Sequence, residues 1–343
     1  MARQAAKPQH DQAGEIAELA YVELDALTIR RRRAGKRWRY LQADGTPVRD
    51  RAEIARLNAV ALPPAYREAR FCPDPAAHLL ATGIDARGRR QYRYNPRFRQ
   101  QQDDLKFAGC AGFGAALPAI RRALDRDLAK PADSREAVLA AAVRILDCAF
   151  LRVGNRRYAG QNRTFGLTTL RSRHARLTRS ALTLEYRGKH GILRRVRLTD
   201  RSILRIVRRC QDLPGQQLFQ YRDDAGEVRA ICSSDVNAYL REISGADLTA
   251  KDFRTWHGSV IAFAALQRGA GLKEMLEDVS RELANTPAVA RKAYVHPALV
   301  EAARSGSFAP VALPRAGRLS REERGFLNWL AAQGAEPRSG DTG

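Results

Sequence analysis

The sequence predicts the α+β class: a small β-rich N-terminal domain, then a larger, mainly α-helical domain that carries one small β-hairpin. Three observations lead there. The first hundred residues alternate short strand-type runs with turn residues. From about Pro118 the apolar spacing becomes helical. Inside the helical part, Leu182-Thr-Leu-Glu-Tyr186 and the run from Ile192 to Leu198 flank the turn Arg187-Gly-Lys-His-Gly191. The domains are therefore placed at 21–100 and 118–332, with a linker over 101–117 and tails over 1–20 and 333–343.

In order along the chain, Leu27-Thr-Ile-Arg30 and Arg37-Trp-Arg-Tyr-Leu41 are β-type runs around the turn Arg33-Ala-Gly-Lys36, and Ala43-Asp-Gly-Thr46 turns again. Seven basic residues and no acid lie between Arg30 and Arg39. On a hairpin their side chains alternate, which sets guanidinium groups along one face at a pitch of roughly 7 Å. Arg89-Arg-Gln-Tyr-Arg-Tyr94 interleaves cations with aromatics, a pattern suited to phosphate contact and stacking. Asp133-Ser-Arg-Glu136 caps the apolar run from Val138 to Phe150, and Thr199-Asp200 caps the helix Arg201–Cys210. Ser233-Ser-Asp235 opens a helix to about Ile243, and helical spacing continues over Thr249–Leu266 and Glu274–Ala284. The last residues are rich in Gly, Ser and charge, which is the composition of a frayed end.

Composition narrows the function. Sixty Lys and Arg stand against 37 Asp and Glu, a formal net charge of +23. Residues 1–100 hold 20 and 11 of these, so the excess is spread over the chain and is not a basic tail. A polyanion is the economical partner. The five cysteines (Cys72, Cys110, Cys148, Cys210 and Cys232) are odd in number and lack C-x-x-C pairing, which points to reduced thiols in a cytoplasmic protein. The N-terminus has no apolar signal region, and the longest apolar stretches fall short of a membrane span.

Much chemistry is excluded by motif. No G-x-x-x-x-G-K-[ST] loop offers an ATP site. Asp103-Asp104 and Asp223-Asp224 read as loop charges, not as a two-metal cluster, and no metal spacing joins His190, His257 and His296. Neither metal nor cofactor is expected. What remains is cations and a nucleophile. They occur in order in Phe150-Leu-Arg-Val-Gly-Asn-Arg-Arg-Tyr158, Asn162-Arg-Thr-Phe-Gly-Leu-Thr-Thr-Leu170, Gly188-Lys189, Thr249-Ala-Lys-Asp-Phe-Arg-Thr-Trp256 and Asn285-Thr-Pro-Ala-Val-Ala-Arg-Lys-Ala-Tyr-Val-His-Pro297. The series resembles the poxvirus-like type IB DNA topoisomerases of bacteria. Leu62-Pro-Pro-Ala-Tyr66, Pro75-Ala-Ala-His78, Ala81-Thr-Gly-Ile-Asp85, Gly88-Arg-Arg-Gln-Tyr92 and Lys106-Phe107 extend it, so that it covers roughly residues 22 to 300.

The resemblance implies a tyrosine recombinase/type IB topoisomerase fold whose two lobes close around duplex DNA, acting as a monomer on supercoiled substrate without ATP. It carries the nucleophile onto Tyr294, whose phenol attacks a backbone phosphorus and leaves a 3′-phosphotyrosyl bond. It carries the phosphate-clamping arginines onto Arg152 and Arg254 and the general acid onto Lys189. Guanidinium suits the clamp because it stays charged and can reach two non-bridging oxygens at once. Asn285 stands where several relatives have histidine, and its amide can donate the same hydrogen bond. Lys251 is a second candidate for the proton relay. Arg32, Arg37, Arg90, Tyr92 and Tyr94 are the expected DNA contacts of the β-rich domain. The chain departs from the family pattern at Arg156-Arg157, where acids are frequent, at Ala284, where glycine is, and at Gln102, where arginine is. Two other readings stand beside this one. A tyrosine recombinase usually has H-x-x-R where this chain reads Lys251-Asp-Phe-Arg254, and an architectural DNA-binding protein would use the basic face alone.

Overall fold

The computed structural model describes residues 19–35, 37–156, 159–160, 163–314 and 317–335. Lys36, Arg157, Tyr158 and Asn162 of the motifs above lie outside the described residues, as does most of each expected tail. The chain forms two compact units, Met1–Leu105 and Lys106–Gly343.

The first unit is built on a five-stranded antiparallel sheet in the order β2-β1-β3-β4-β5. Its strands are β1 (Ile29–Ala34), β2 (Arg37–Leu41), β3 (Arg67–Phe71), β4 (Leu79–Ile84) and β5 (Arg90–Tyr94). Alternation gives the sheet two unlike faces. Ile29, Tyr40, Phe71 and Ala81 are buried with Leu57 of α1 (Arg51–Ala59). That helix was not expected; its signal is Asp50, whose carboxylate accepts from the Ala52 and Glu53 N–H groups. On the other face the register pairs Arg30 with Arg70, Arg70 with Thr82 and Thr82 with Tyr92, a row that crosses the sheet. Ala20, placed in the tail by the sequence, bonds through its N–H and its carbonyl to Ala76 and His78 and so belongs to this unit.

The expected linker over 101–117 is instead helix: α2 runs Pro96–Leu128 without interruption, and the division between the units falls within it. Pro118 sits inside this helix. Its missing N–H and ring weaken one turn, but Phe113, Leu117, Ile120 and Leu124 keep one apolar stripe buried through it.

The second unit is helical around α3 (Arg135–Ala149). Ser134 caps α3 by accepting from the Ala137 N–H, and the run from Ala137 to Leu146 is buried at all but Arg144. A helix apolar on every side must be a core element, and the others pack around it. They are α4 (Arg201–Asp212), α5 (Ser233–Ser244), α6 (Ala250–Gln267), α7 (Leu272–Leu283), α8 (Pro287–Ala293), α9 (Pro297–Ser305) and α10 (Arg321–Ala335). The last runs past residue 332, where the tail was expected to begin. Short β6 (Ala175–Leu177) joins β7 (Leu182–Arg187) and β8 (Leu193–Leu198) in a three-stranded sheet, and β9 (Gln220–Arg222) pairs with β10 (Val228–Ala230).

Candidate active site

Four helix ends and one hairpin tip supply the site. α3 stops at Phe150, which takes left-handed backbone angles (φ 55°) and turns the chain towards Arg152. The segment after it is pinned by backbone bonds, with the Arg152 carbonyl accepting from the Leu167 N–H at 2.8 Å and the Val153 carbonyl from the Thr168 N–H at 2.7 Å. Gly154 and Gly166 permit this contact, because a Cβ on Gly166 would lie 2.5 Å from the Gly154 Cα.

The second end is that of α7. Ala284 takes left-handed angles (φ 45°), where glycine is favoured, and Asn285 follows. Both side-chain polar atoms of Asn285 are buried and lack a hydrogen-bond partner among the described residues. A buried amide with four unmet bonding positions is costly unless a ligand meets them.

α6 lies between these ends. Thr249 and Asp252 form its capping box, which sets Arg254 in the first turns of the helix, only 3% exposed. Arg254 donates to the Phe150 carbonyl and, at 2.9 Å, to the Leu283 carbonyl, so it ties the ends of α3 and α7 together. Its Nε is buried without a partner among the described residues. Burial, and then the charge of Arg152, lower its pKa to about 10, which still leaves it protonated at neutral pH.

Tyr294 ends α8, a short helix capped by Thr286 with Pro287 at its first position. The Arg254 guanidinium stands over the Tyr294 ring, 4.7 Å from its centre. The tyrosine backbone is held by α6: the Ser259 hydroxyl lies 3.2 Å from the Tyr294 carbonyl and accepts from the His296 N–H at 3.0 Å. Gly258 makes room, since a Cβ there would fall 2.7 Å from the Tyr294 carbonyl oxygen. Burial pushes the phenol's pKa up, but the nearby positive charges of Arg254 and Arg152 outweigh this, and the net shift is downward. Two guanidinium groups thus favour the phenolate.

The hairpin closes the arrangement. Gly188 donates to the Ile192 carbonyl at 2.8 Å, and Lys189 is exposed at the turn. Arg152, Lys189 and Arg254 line one open pocket together with Arg194, Tyr186 and Ala284. Tyr294 adjoins it through its contact with Arg254. Lys251 is exposed in the first turn of α6 and is not among the lining residues. Sequence reasoning passed over Tyr186 and Arg194. They are opposed across β7 and β8, and strand alternation outward from Lys189 is the signal that finds them. The Tyr186 phenol is buried, which raises its pKa against the pull of Arg194, Arg254 and Arg152.

Behind the pocket, His257 Nε2 lies 2.9 Å from the Asp147 carboxylate, and Arg121 bridges Asp147 and Glu323 at 2.8 Å each. Asp147, His257 and Glu323 have a metal-like grouping, but the Arg121 guanidinium already bonds both carboxylates. The His296 ring caps α9 by accepting from the Ala298 N–H, and burial lowers its pKa to about 4.

In the first unit, Arg32, Arg37, Arg90, Tyr92 and Tyr94 all fall on the open face of the sheet, with Arg30, Arg39 and Arg70. Tyr92 and Tyr94 stack at 6.1 Å. Arg31, one residue out of phase, points the other way: it donates to the Leu62 and Pro63 carbonyls and covers Trp38.

Two family models match this sequence. That of the eukaryotic DNA topoisomerase I catalytic core covers residues 95–303, and that of the bacterial DNA topoisomerase IB N-terminal domain covers residues 37–85. A DNA topoisomerase 1B of Acanthamoeba polyphaga mimivirus is 28% identical over 286 residues, spanning 78% of this chain and 84% of the relative.

Proposed function

The chain belongs to the type IB DNA topoisomerase family, and from that premise we propose the chemistry of its pocket and the residue that carries each step. The reaction is isomerisation of DNA through one transient strand break. The Tyr294 oxygen attacks a backbone phosphorus; the P–O5′ bond breaks as the O–P bond to tyrosine forms. A free tyrosine has a pKa near ~10 and is a weak nucleophile at neutral pH. Arg254 and Arg152 answer that weakness, since they lower the phenol's pKa and stand where the pentavalent phosphorane develops charge. Loss of either arginine is expected to cost about 3 kcal/mol in the barrier, by analogy with fixed oxyanion donors. Lys189 gives its proton to the departing 5′-oxygen, which would otherwise leave as an alkoxide. Asn285 donates to a non-bridging oxygen, a role that uses its unmet amide.

The phosphotyrosine keeps the energy of the broken phosphodiester. The 5′-hydroxyl, returning its proton to Lys189, therefore reseals the strand without ATP once the free end has rotated and torsion has dissipated. Supercoiled duplex is the favoured substrate because it has torsion to lose. All the groups in this scheme come from one chain, which supports a monomer. Five free thiols support a reducing compartment, the cytoplasm with its nucleoid DNA. No described helix is long and apolar enough to cross a membrane.

The convergence of Arg152, Lys189 and Arg254 on one pocket, with Arg254 over the Tyr294 ring, carries this reading. Its test is a suicide duplex whose short downstream fragment, ending in the new 5′-hydroxyl, diffuses away after cleavage. Mass spectrometry should find the DNA on Tyr294, and Tyr294→Phe should bind DNA yet give neither adduct nor relaxation. An adduct elsewhere, or relaxation by the Phe variant, overturns the assignment.

A further inference from the structure

Arg254 has a counterpart in the hairpin. Where Arg254 takes the carbonyls of Phe150 and Leu283, Arg194 takes those one residue earlier in each helix end. It donates to the Glu282 carbonyl at 3.2 and 3.3 Å and to the Ala149 carbonyl at 3.5 Å. These carbonyls close α7 and α3, where the helix dipole favours a cation. Asn285 and Arg152 each follow three residues on.

The other end of Arg194 belongs to the hairpin. It pairs with Tyr186 across the ladder, and a Cβ on Gly188 would meet its Cγ at 3.6 Å, so its stem lies over the turn that presents Lys189. Lys189 is exposed, and its position in the pocket is that of the hairpin.

We propose that Arg194 is a positioning residue: its guanidinium fastens the Lys189 hairpin to the two helix ends that carry Arg152 and Asn285, and it thereby sets where the proton is delivered. Arg194 need not touch DNA for this. The inference rests on the reading of Lys189 as the proton donor.

A sulfur substituted for the bridging 5′-oxygen separates the possibilities, because a thiolate departs without protonation (a thiol has a pKa of ~8.5). Single-turnover cleavage of ordinary and 5′-sulfur suicide duplexes is measured for the wild type, Lys189→Ala, Arg194→Met and Arg194→Lys. Arg194→Met should cleave the oxygen substrate about 100-fold more slowly and approach wild type on sulfur, as a proton-delivery defect requires. Arg194→Lys, which keeps the charge but not the fork, should show a smaller loss with the same sulfur rescue. Equal slowing on both substrates means that Arg194 only supports the fold, and no slowing means that the hairpin needs no fastening; either overturns the proposal. If Lys189→Ala itself is not rescued by sulfur, the proton-donor reading fails and this inference fails with it. If Lys189→Ala is rescued and the Arg194 variants are not, the inference alone fails.

Discussion

The open face of the five-stranded sheet and the pocket of the helical unit are both lined by arginine, under opposite conditions. Arg30, Arg32, Arg37 and Arg39 stand exposed on the sheet, two on each strand of a hairpin. Arg254 is almost wholly buried, bonded to two helix-end carbonyls and pressed against a phenol. An exposed guanidinium keeps its hydration and gives up only counterions when it meets a phosphate. A buried one has already lost its water, so its charge acts at low dielectric and in one fixed direction. The first arrangement suits affinity for any duplex; in the proposed chemistry the second supplies rate at one phosphorus.

Mutation should separate the two. The largest effect is expected in the pocket, where Arg254→Ala should slow single-turnover cleavage at saturating DNA by about 10²–10³-fold. The quadruple change of Arg30, Arg32, Arg37 and Arg39 to alanine should leave that rate nearly intact. It should weaken binding and flatten log Kd against log salt by up to ~4, about one for each phosphate that an arginine no longer neutralises. Fluorescence anisotropy over a salt series reads this, and an unchanged slope would mean that the sheet face does not meet the backbone.

pH sharpens the contrast further. Because Arg254 and Arg152 hold the Tyr294 pKa below its ordinary value, cleavage should rise with pH and level off before pH ~10, the value for a free phenol. Arg152→Ala should move that limb upward, whereas the sheet variants should not move it.

The remaining expectations concern stability. His257 and Arg121 hold the Asp147 carboxyl well below the usual range against the effect of burial. Its contribution is therefore present above pH ~3.9 and is lost as pH falls below that value. Asp147→Ala strands Arg121 and His257 and should cost about 3–5 kcal/mol by urea unfolding. The smallest change runs the other way: Ala284→Gly relieves a left-handed alanine and should add about 1 kcal/mol.

Helix starts were legible because their signals are local: Ser134, Asp200 and Thr249 each begin the helix expected of them. The shared face of Arg32, Arg37, Arg90, Tyr92 and Tyr94 followed from strand alternation and needed only the register to join the strands. The division between the units falls inside the expected linker, but the helix was expected to begin only near Pro118, because Gln100-Gln-Gln-Asp-Asp104 is polar although its helical period continues into the apolar stripe from Phe107. The motifs named Arg152, Lys189 and Arg254 in advance, and the fold brings them into one pocket. Lys251 shares a helix with Arg254 but does not line that pocket. Strand alternation could place Arg194 beside the hairpin tip, but its bonds were illegible, since its partners are backbone carbonyls 45 and 88 residues away and a carbonyl leaves no mark in sequence.

Gly258 and Ser259 seat the backbone of Tyr294 directly on the helix that also carries Arg254. In the proposed scheme the tyrosine keeps the strand end that does not rotate, and a packed eighteen-residue helix fixes that end in place while the free 5′-hydroxyl end swivels. On that reading Tyr294 and Arg254 keep one seat, and the pocket proposed to cut the strand is already set to reseal it.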